Sequence, residues 1–229
     1  MSSSTTAAPP REAGARYFAW LYTPAAARDG TRALLAIERE ILASTREGLD
    51  HSVAHARLGW WQEEAGRLHA ALPAHPAGIE LRNQFLAAGL SPPDLGALPR
   101  LAARELARRA LGRGPAPADE LAVDAALWAD GLLCPLAMLA LRSAEDTAPV
   151  AALGRALYAF DRAPLAPARA ALENALHALP APLRPGLRGA IVWATLALRR
   201  SRAAGAPREA FAENWTAWRA ARRATRGRT

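Results

Sequence analysis

Proline and glycine divide this 229-residue chain into segments of helical length, and this division constrains the fold more than any other feature. Almost none of the segments shows the strict apolar–polar alternation that is typical of a half-buried strand. The breaks predict helices at about residues 30–50, 52–72, 77–88, 95–111, 118–141, 147–162, 167–179, 185–202 and 207–223. We therefore expect an all-α protein with about nine or ten helices.

The composition favours one folded domain with a disordered N-terminal lead and a basic C-terminal helix and tail. Hydrophobic residues make up 51% of the chain, which is enough for a sizeable core. Residues 1–14 are rich in Ser, Thr, Ala and Pro, and we interpret them as a disordered lead, not a signal peptide. Residues 15–205 form the expected helical domain, and 206–229 a basic amphipathic helix and tail. The linker-like segment 112–117 is too short to establish a domain boundary.

The charge of the chain indicates which classes of partner its surface can attract. The net charge is +8, and every basic residue is an arginine. Such a surface attracts phosphates, anionic lipid headgroups or nucleic acid, but without a recognised motif we expect no nucleic-acid partner. The single cysteine, Cys134, excludes an internal disulfide and is consistent with a reducing compartment. Because no uninterrupted apolar segment approaches about 20 residues, we expect a cytoplasmic protein that is either free or peripheral to the inner face of a membrane.

The C-terminal segment combines aromatic and basic residues. Phe211, Trp215 and Trp218 follow one another at spacings of four and three, and arginines 219, 222, 223, 226 and 228 come after them. Two interpretations remain open. In the first, this segment contacts a membrane surface or a partner protein through Trp215, Trp218, Arg219 and Arg222. In the second, which we prefer, the aromatic stripe docks on the protein's own core.

Three segments together resemble a known family. The helix Leu58 to Leu68 carries the adjacent Trp60 and Trp61 and is followed by a turn that contains His75-Pro76. The run Ala33 to Glu40 lies upstream at the expected distance, and Leu153 to Ala156 is a weaker match downstream. These features resemble the squalene/phytoene synthase family, over roughly residues 16–82 with scattered points beyond. The resemblance implies a single-domain, isoprenoid-synthase-like helical bundle.

Members of this family join two isoprenyl diphosphates head to head, and aspartates hold the Mg²⁺ that ionises the diphosphate. The resemblance places the first aspartate motif on Leu42, Ala43, Arg46 and Glu47, so the three aspartates are absent. In the second motif Asp161 has no carboxylate partner four residues later. The resemblance also implies that four further residues lie at cavity or family-motif positions: Arg39, Trp60, Trp61 and Tyr158.

Other residues are weak candidates for a metal site. Asp119, Glu120 and Asp124 form the densest carboxylate cluster, but acids in a first helical turn commonly complement the helix dipole, and we favour that interpretation. His51 and His55 are spaced to face one another on a helix, yet no third ligand is evident nearby. We therefore predict no catalytic residues and no cofactor.

The leading hypothesis is a catalytically degenerate family member with a binding, regulatory or assembly role. It would bind an isoprenoid or another lipid, a protein partner, or an anionic membrane surface. One alternative is an active Mg²⁺-dependent prenyltransferase that uses the carboxylates at 119, 120 and 124. The other is a basic peripheral membrane adaptor.

Overall fold

The computed structural model describes residues 14–145, 147–202 and 210–226, and within these ranges it is a bundle of ten helices without strands. The expectation of an all-α, single-domain bundle is confirmed. The helices are α1 (Ala15–Tyr22), α2 (Arg28–Ala43), α3 (His51–His69), α4 (Pro76–Ala87), α5 (Ala97–Ala110), α6 (Ala118–Leu141), α7 (Thr147–Arg162), α8 (Ala166–Ala178), α9 (Arg188–Arg202) and α10 (Ala210–Arg226). The sequence predicts a disordered lead at residues 1–14, and residues 1–13 lie outside the described part of the chain.

Helix α2 ends earlier than the sequence predicts. It stops at Ala43 instead of near residue 50, because the Ser44 and Thr45 hydroxyls donate to the carbonyls of Glu40 and Leu42 and compete with helical hydrogen bonds. Gly48 then adopts a φ of +79°, which reverses the chain. The resulting turn places residues 44–49 at one end of the bundle, beside the cavity described below.

Helix α6 runs through the middle of the fold and contains one wide turn. Residues Ala129–Leu133 form a π-helical turn that ends two residues before Pro135. Proline has no N–H to donate to the carbonyl four residues earlier, so a wider turn accommodates the missing bond. At Gly131 an added Cβ would lie 2.7 Å from the Leu98 side chain, so the glycine lets α5 approach α6 closely.

By length and composition α6 is also the one helix in the described part of the chain that could cross a membrane. Its most apolar window has a mean hydropathy of 1.5, and 50% of that window is buried inside the protein. We expected no uninterrupted apolar segment of about 20 residues, and Asp124 and Asp130 do interrupt this helix. It has the composition of a possible span because these two are the only charges in residues 121–141. A helix at the centre of a helical bundle has the same composition, so this property alone is weak support for a membrane span.

A buried carboxylate joins the turn after α3 to the start of α4. The Glu64 side chain is 3% exposed and accepts hydrogen bonds from the amides of Ala74 (2.9 Å) and His75 (2.7 Å) and from Arg67 Nε (2.7 Å). His75 Nδ1 in turn accepts a hydrogen bond from the Ala77 amide in the first turn of α4, and its Nε2 lies 3.2 Å from Glu40 Oε2. This network holds α2, α3 and α4 in a fixed arrangement.

Helix α10 docks on the bundle through alanines and not through its tryptophans. Among its described side chains Ala217, Ala220, Ala221 and Ala224 are buried, and the first three pack against Phe18, Val192 and Leu196 of α1 and α9. Trp215 and Trp218 are 49% and 38% exposed. The preferred interpretation, that the aromatic stripe docks on the core, is therefore wrong for both tryptophans, because alanine side chains form the face of α10 that packs on α9. The side chains of Phe211 and Arg226, and the whole of Arg228, lie outside what the structure describes.

Candidate functional site

A cavity of about 580 Å³ opens at the end of the bundle where α2, α5, α6 and α7 meet. The turn after α2 forms one wall, and the α5–α6 connection, including Gly114, Pro115 and Ala116, forms another. This volume lies within the range of small-molecule sites in proteins. We call it the arginine cavity, and it is lined by Leu42, Thr45, Arg46, Glu105, Arg108, Arg109, Arg113, Gly114, Pro115, Ala116, Leu121, Asp124, Tyr158, Arg162 and Ala163.

Five arginines and two carboxylates line the arginine cavity, so its formal net charge is +3. Of the carboxylates, Asp124 is the more deeply buried, with its side chain 1% exposed. Arg104 Nε lies 2.6 Å from its Oδ1, and Arg108 Nη2 lies 2.6 Å from its Oδ2. Both oxygens of Asp124 thus face guanidinium groups.

The second carboxylate, Glu105, is also paired. Arg162 Nη2 lies 2.6 Å from its Oε1, and the Tyr158 hydroxyl donates to the same oxygen at 3.3 Å. The Arg162 guanidinium lies 5.0 Å from the centre of the Tyr158 ring. Burial raises the pKa of Tyr158 above its ordinary value, so the phenol stays protonated and acts as a hydrogen-bond donor.

The remaining arginines of the cavity differ in whether their guanidinium groups bond to the protein. Arg109 donates to the carbonyls of Thr45 and Glu105, which ties the α2 turn to α5. Arg46 and Arg113 are exposed, and neither guanidinium makes a hydrogen bond or ion pair with the described residues. These two side chains can therefore bind an anion without first breaking an interaction of that kind.

The structure brings together only some of the residues named from the sequence. Leu42, Arg46, Asp124 and Tyr158 all line the arginine cavity. Ala43 and Glu47 from the first-motif positions do not, and neither does Arg39, which is exposed on α2.

The two acids at the start of α6 do not join Asp124 in the lining. Asp119 is exposed on the first turn of the helix. Glu120 lies 3.4 Å from Arg108, on the outer side of the buried ion pair. The three carboxylates are thus separated by their surroundings, although they are close in sequence.

The two tryptophans of α3 have different environments. Trp61 is 5% exposed and packs in the core near Ile37, Ile41 and Glu64, whereas Trp60 is 40% exposed. Their rings meet edge to face with centroids 5.0 Å apart. Neither one borders the arginine cavity, and the α10 residues Trp215, Trp218, Arg219 and Arg222 lie outside its lining as well.

Metal ligands are sparse in the described ranges. These residues include no group of three or more His, Cys, Asp or Glu side chains that could hold a metal ion. The Nε2 atoms of His51 and His55 lie 3.0 Å apart on the exposed first turns of α3. Asp161, from the second-motif position, lines a small neighbouring cavity together with Glu38 and Arg16.

The sequence interpretation missed the contribution of α5 and of the residues that directly follow it. Glu105, Arg108, Arg109 and Arg113 supply much of the charged wall of the cavity, and none of them was a candidate. A signal was present, because four arginines occur in the ten residues 104–113, beside the proline- and glycine-rich segment. A basic cluster at the end of a helix is common on surfaces, however, and only the fold places it opposite Arg46 and Arg162.

Comparison of the chain with family models, curated proteins and solved structures finds no match.

Proposed function

We propose that this chain is a binding protein, a divergent and catalytically degenerate member of the squalene/phytoene synthase family, which takes an anionic group of a phosphorylated ligand into the arginine cavity. The observation that carries the proposal is the reversal of charge at this position. The residues that line the cavity from the first-motif segment are a leucine and an arginine, and five arginines surround the space. An isoprenyl diphosphate is the ligand class that the resemblance suggests.

The chemistry of arginine supports an anion as the ligand. A guanidinium presents planar pairs of N–H donors that match phosphate oxygens, and it stays charged at every physiological pH. Arg46 and Arg113 are available from two walls of the cavity, and Leu42 and Leu121 supply apolar surface for a hydrocarbon group. The ligand's negative charge would be balanced by the protein itself, without a divalent cation.

Both carboxylates of the cavity are already paired with donors of the protein, and this supports a function without Mg²⁺-dependent ionisation. A magnesium ion needs oxygen ligands that it can approach closely, and it usually binds through one or two carboxylates and the substrate phosphates. Here Asp124 faces two guanidinium groups and Glu105 faces Arg162 and the Tyr158 hydroxyl. A cation would have to displace these donors before it could be held.

Isothermal titration calorimetry with inorganic pyrophosphate and with farnesyl diphosphate, each in EDTA and in Mg²⁺, tests this proposal. We expect both ligands to bind in EDTA. The double variant Arg46→Gln/Arg113→Gln should lose about 2- to 30-fold in affinity, because both arginines are exposed and each exposed ion pair contributes about 0.2–1 kcal/mol. Arg57→Gln is the matched control, since Arg57 is an exposed arginine on α3 that makes no ion pair with the described residues.

Two results would overturn the proposal. Binding that disappears in EDTA would mean that a metal, and not arginine, holds the anion. Mg²⁺-dependent conversion of farnesyl diphosphate by the purified protein would establish the enzyme alternative. In that case Asp124→Asn should abolish turnover, because this is the only carboxylate of the sequence-predicted cluster that reaches the cavity.

A further inference from the structure

The outer face of α10, formed by Trp215, Trp218, Arg219 and Arg222, lies opposite the alanine face that packs on the bundle. The two indole rings stack with their centroids 4.9 Å apart and their planes inclined by 24°. The Arg222 guanidinium lies 4.8 Å from the centre of the Trp218 ring. Two large aromatic side chains with a cation above one of them thus form a continuous exposed patch.

A groove of about 460 Å³ runs beside this face, between α10, α9, α8 and the α8–α9 connection. Its walls include the apolar residues Leu176 and Ile191, and three arginines line it: Arg184, Arg219 and Arg223. One carboxylate, Glu173, is also present and lies 3.8 Å from Arg169. We call this space the α10 groove. Arg219 belongs to both the groove and the outer face, so the two surfaces are continuous.

The patch and the groove differ from the arginine cavity in shape and in composition. The arginine cavity has five arginines and no tryptophan, whereas this region combines an aromatic pair, apolar walls and arginines along one exposed helix. Tryptophan prefers the headgroup level of a bilayer because its indole ring is amphipathic. Arginines on the polar side of an interfacial helix are attracted to anionic headgroups.

We propose that the outer face of α10 and the α10 groove bind the surface of an anionic phospholipid membrane. Trp215 and Trp218 enter the headgroup region, Arg219 and Arg222 contact lipid phosphates, and the groove takes one headgroup beside Arg184 and Arg223. Charge complementarity selects the lipid, because the chain carries a net charge of +8 and the outer face has two arginines and no acid. The inference does not depend on a ligand in the arginine cavity.

Co-sedimentation of the full chain with phosphatidylcholine vesicles, with and without phosphatidylglycerol, tests the inference. We expect binding only to vesicles that contain phosphatidylglycerol, and weaker binding as salt is raised, because salt screens the attraction. The double variant Trp215→Ser/Trp218→Ser should lose most of the binding. Arg219→Gln/Arg222→Gln should weaken it about 25-fold, since one basic residue near an anionic surface contributes roughly a factor of five.

Matched controls exist on α3. Trp60→Ser removes a 40% exposed tryptophan that also has an arginine near its ring, with Arg67 at 5.5 Å, and Arg57→Gln removes an exposed arginine. Both control variants should bind vesicles as the parent chain does, and circular dichroism should show that all variants fold. Brominated lipids should quench tryptophan fluorescence in the parent chain and less in the α10 tryptophan variant.

Three outcomes would overturn the inference. The first is that the parent chain does not bind phosphatidylglycerol vesicles. The second is that Trp60→Ser reduces binding as much as the α10 double tryptophan variant does. The third is self-association through α10, seen in light scattering without lipid as a dimeric parent chain and a monomeric tryptophan variant. Vesicle binding that persists in Arg46→Gln/Arg113→Gln, which changes only the arginine cavity, would separate this surface from the proposed ligand site.

Discussion

Replacing Asp124 by asparagine should lower the stability of the fold and raise its affinity for anions. The side chain is 1% exposed and lies 2.6 Å from both Arg104 Nε and Arg108 Nη2. Removing one member of a buried ion pair commonly costs about 3–5 kcal/mol, because the other charge is left without compensation. Arg104 and Arg108 keep 36% and 13% of their side-chain surface exposed, so water recovers part of this loss. We expect a loss of about 2–3 kcal/mol.

The same substitution changes the charge of the arginine cavity from +3 to +4 and removes the nearer of the two carboxylates that pair with Arg108, leaving Glu120 at 3.4 Å. For an anion about 6 Å from Asp124, one unit charge contributes roughly 0.7 kcal/mol in a water-like medium and about 2.8 kcal/mol at an effective dielectric constant near 20. The cavity is open to solvent, so the lower part of this range applies. Affinity for pyrophosphate should therefore rise about 3- to 10-fold.

Thermal unfolding and calorimetry measure the two effects on one protein sample. A loss of about 2–3 kcal/mol corresponds to a fall of roughly 5–10 °C in the melting temperature for a chain of this size. Asp119→Asn is the matched control, since Asp119 is exposed on the same helix and forms no ion pair with the described residues. Its stability should change little. If Asp124→Asn lost stability and bound pyrophosphate more weakly, the reasoning that the Asp124 charge opposes anion binding in the cavity would be refuted.

Two pairs of substitutions and one alkylation measurement test packing and burial. Gly131→Ala should destabilise the protein by about 1–3 kcal/mol in chemical denaturation, because its Cβ would overlap α5, whereas Gly66→Ala on α3 has open space and should be neutral or stabilising. Trp61→Ala should cost about 3–5 kcal/mol, and Trp60→Ala much less, because only Trp61 is buried. Burial raises the pKa of the Cys134 thiol to about 11, so alkylation at pH 8 should be roughly a hundredfold slower than for a free thiol.

The class of fold follows from the sequence because its main signals are local. Proline, glycine and the lack of alternation act within ten to twenty residues, and they predicted helices near most observed positions. Helix α1 and the early end of α2 were missed. The second error has a physical cause in the hydroxyl groups of Ser44 and Thr45, which terminate the helix by bonding to carbonyls within it. Such competition depends on side-chain geometry that residue type alone does not specify.

The candidate site was harder to predict because it is assembled from separate parts of the chain. Asp124 and Arg104 are 20 residues apart, and Arg109 reaches Thr45 across 64 residues. From sequence, Asp124 was grouped with its neighbours in an N-terminal helical turn, where acids complement the helix dipole. That interpretation suits Asp119, which is exposed, but Asp124 lies one turn further on and faces α5.

Pairing within the cavity, more than the number of acids, determines which ions it can hold. Two carboxylates on opposing helices would ordinarily suggest a cation site, yet Asp124 and Glu105 each face guanidinium groups at 2.6 Å. To bind a cation, the protein would have to break these ion pairs and leave arginines facing the new positive charge. To bind an anion, it can use Arg46 and Arg113 without breaking them. The cavity's geometry therefore favours anions even though its acids remain in place.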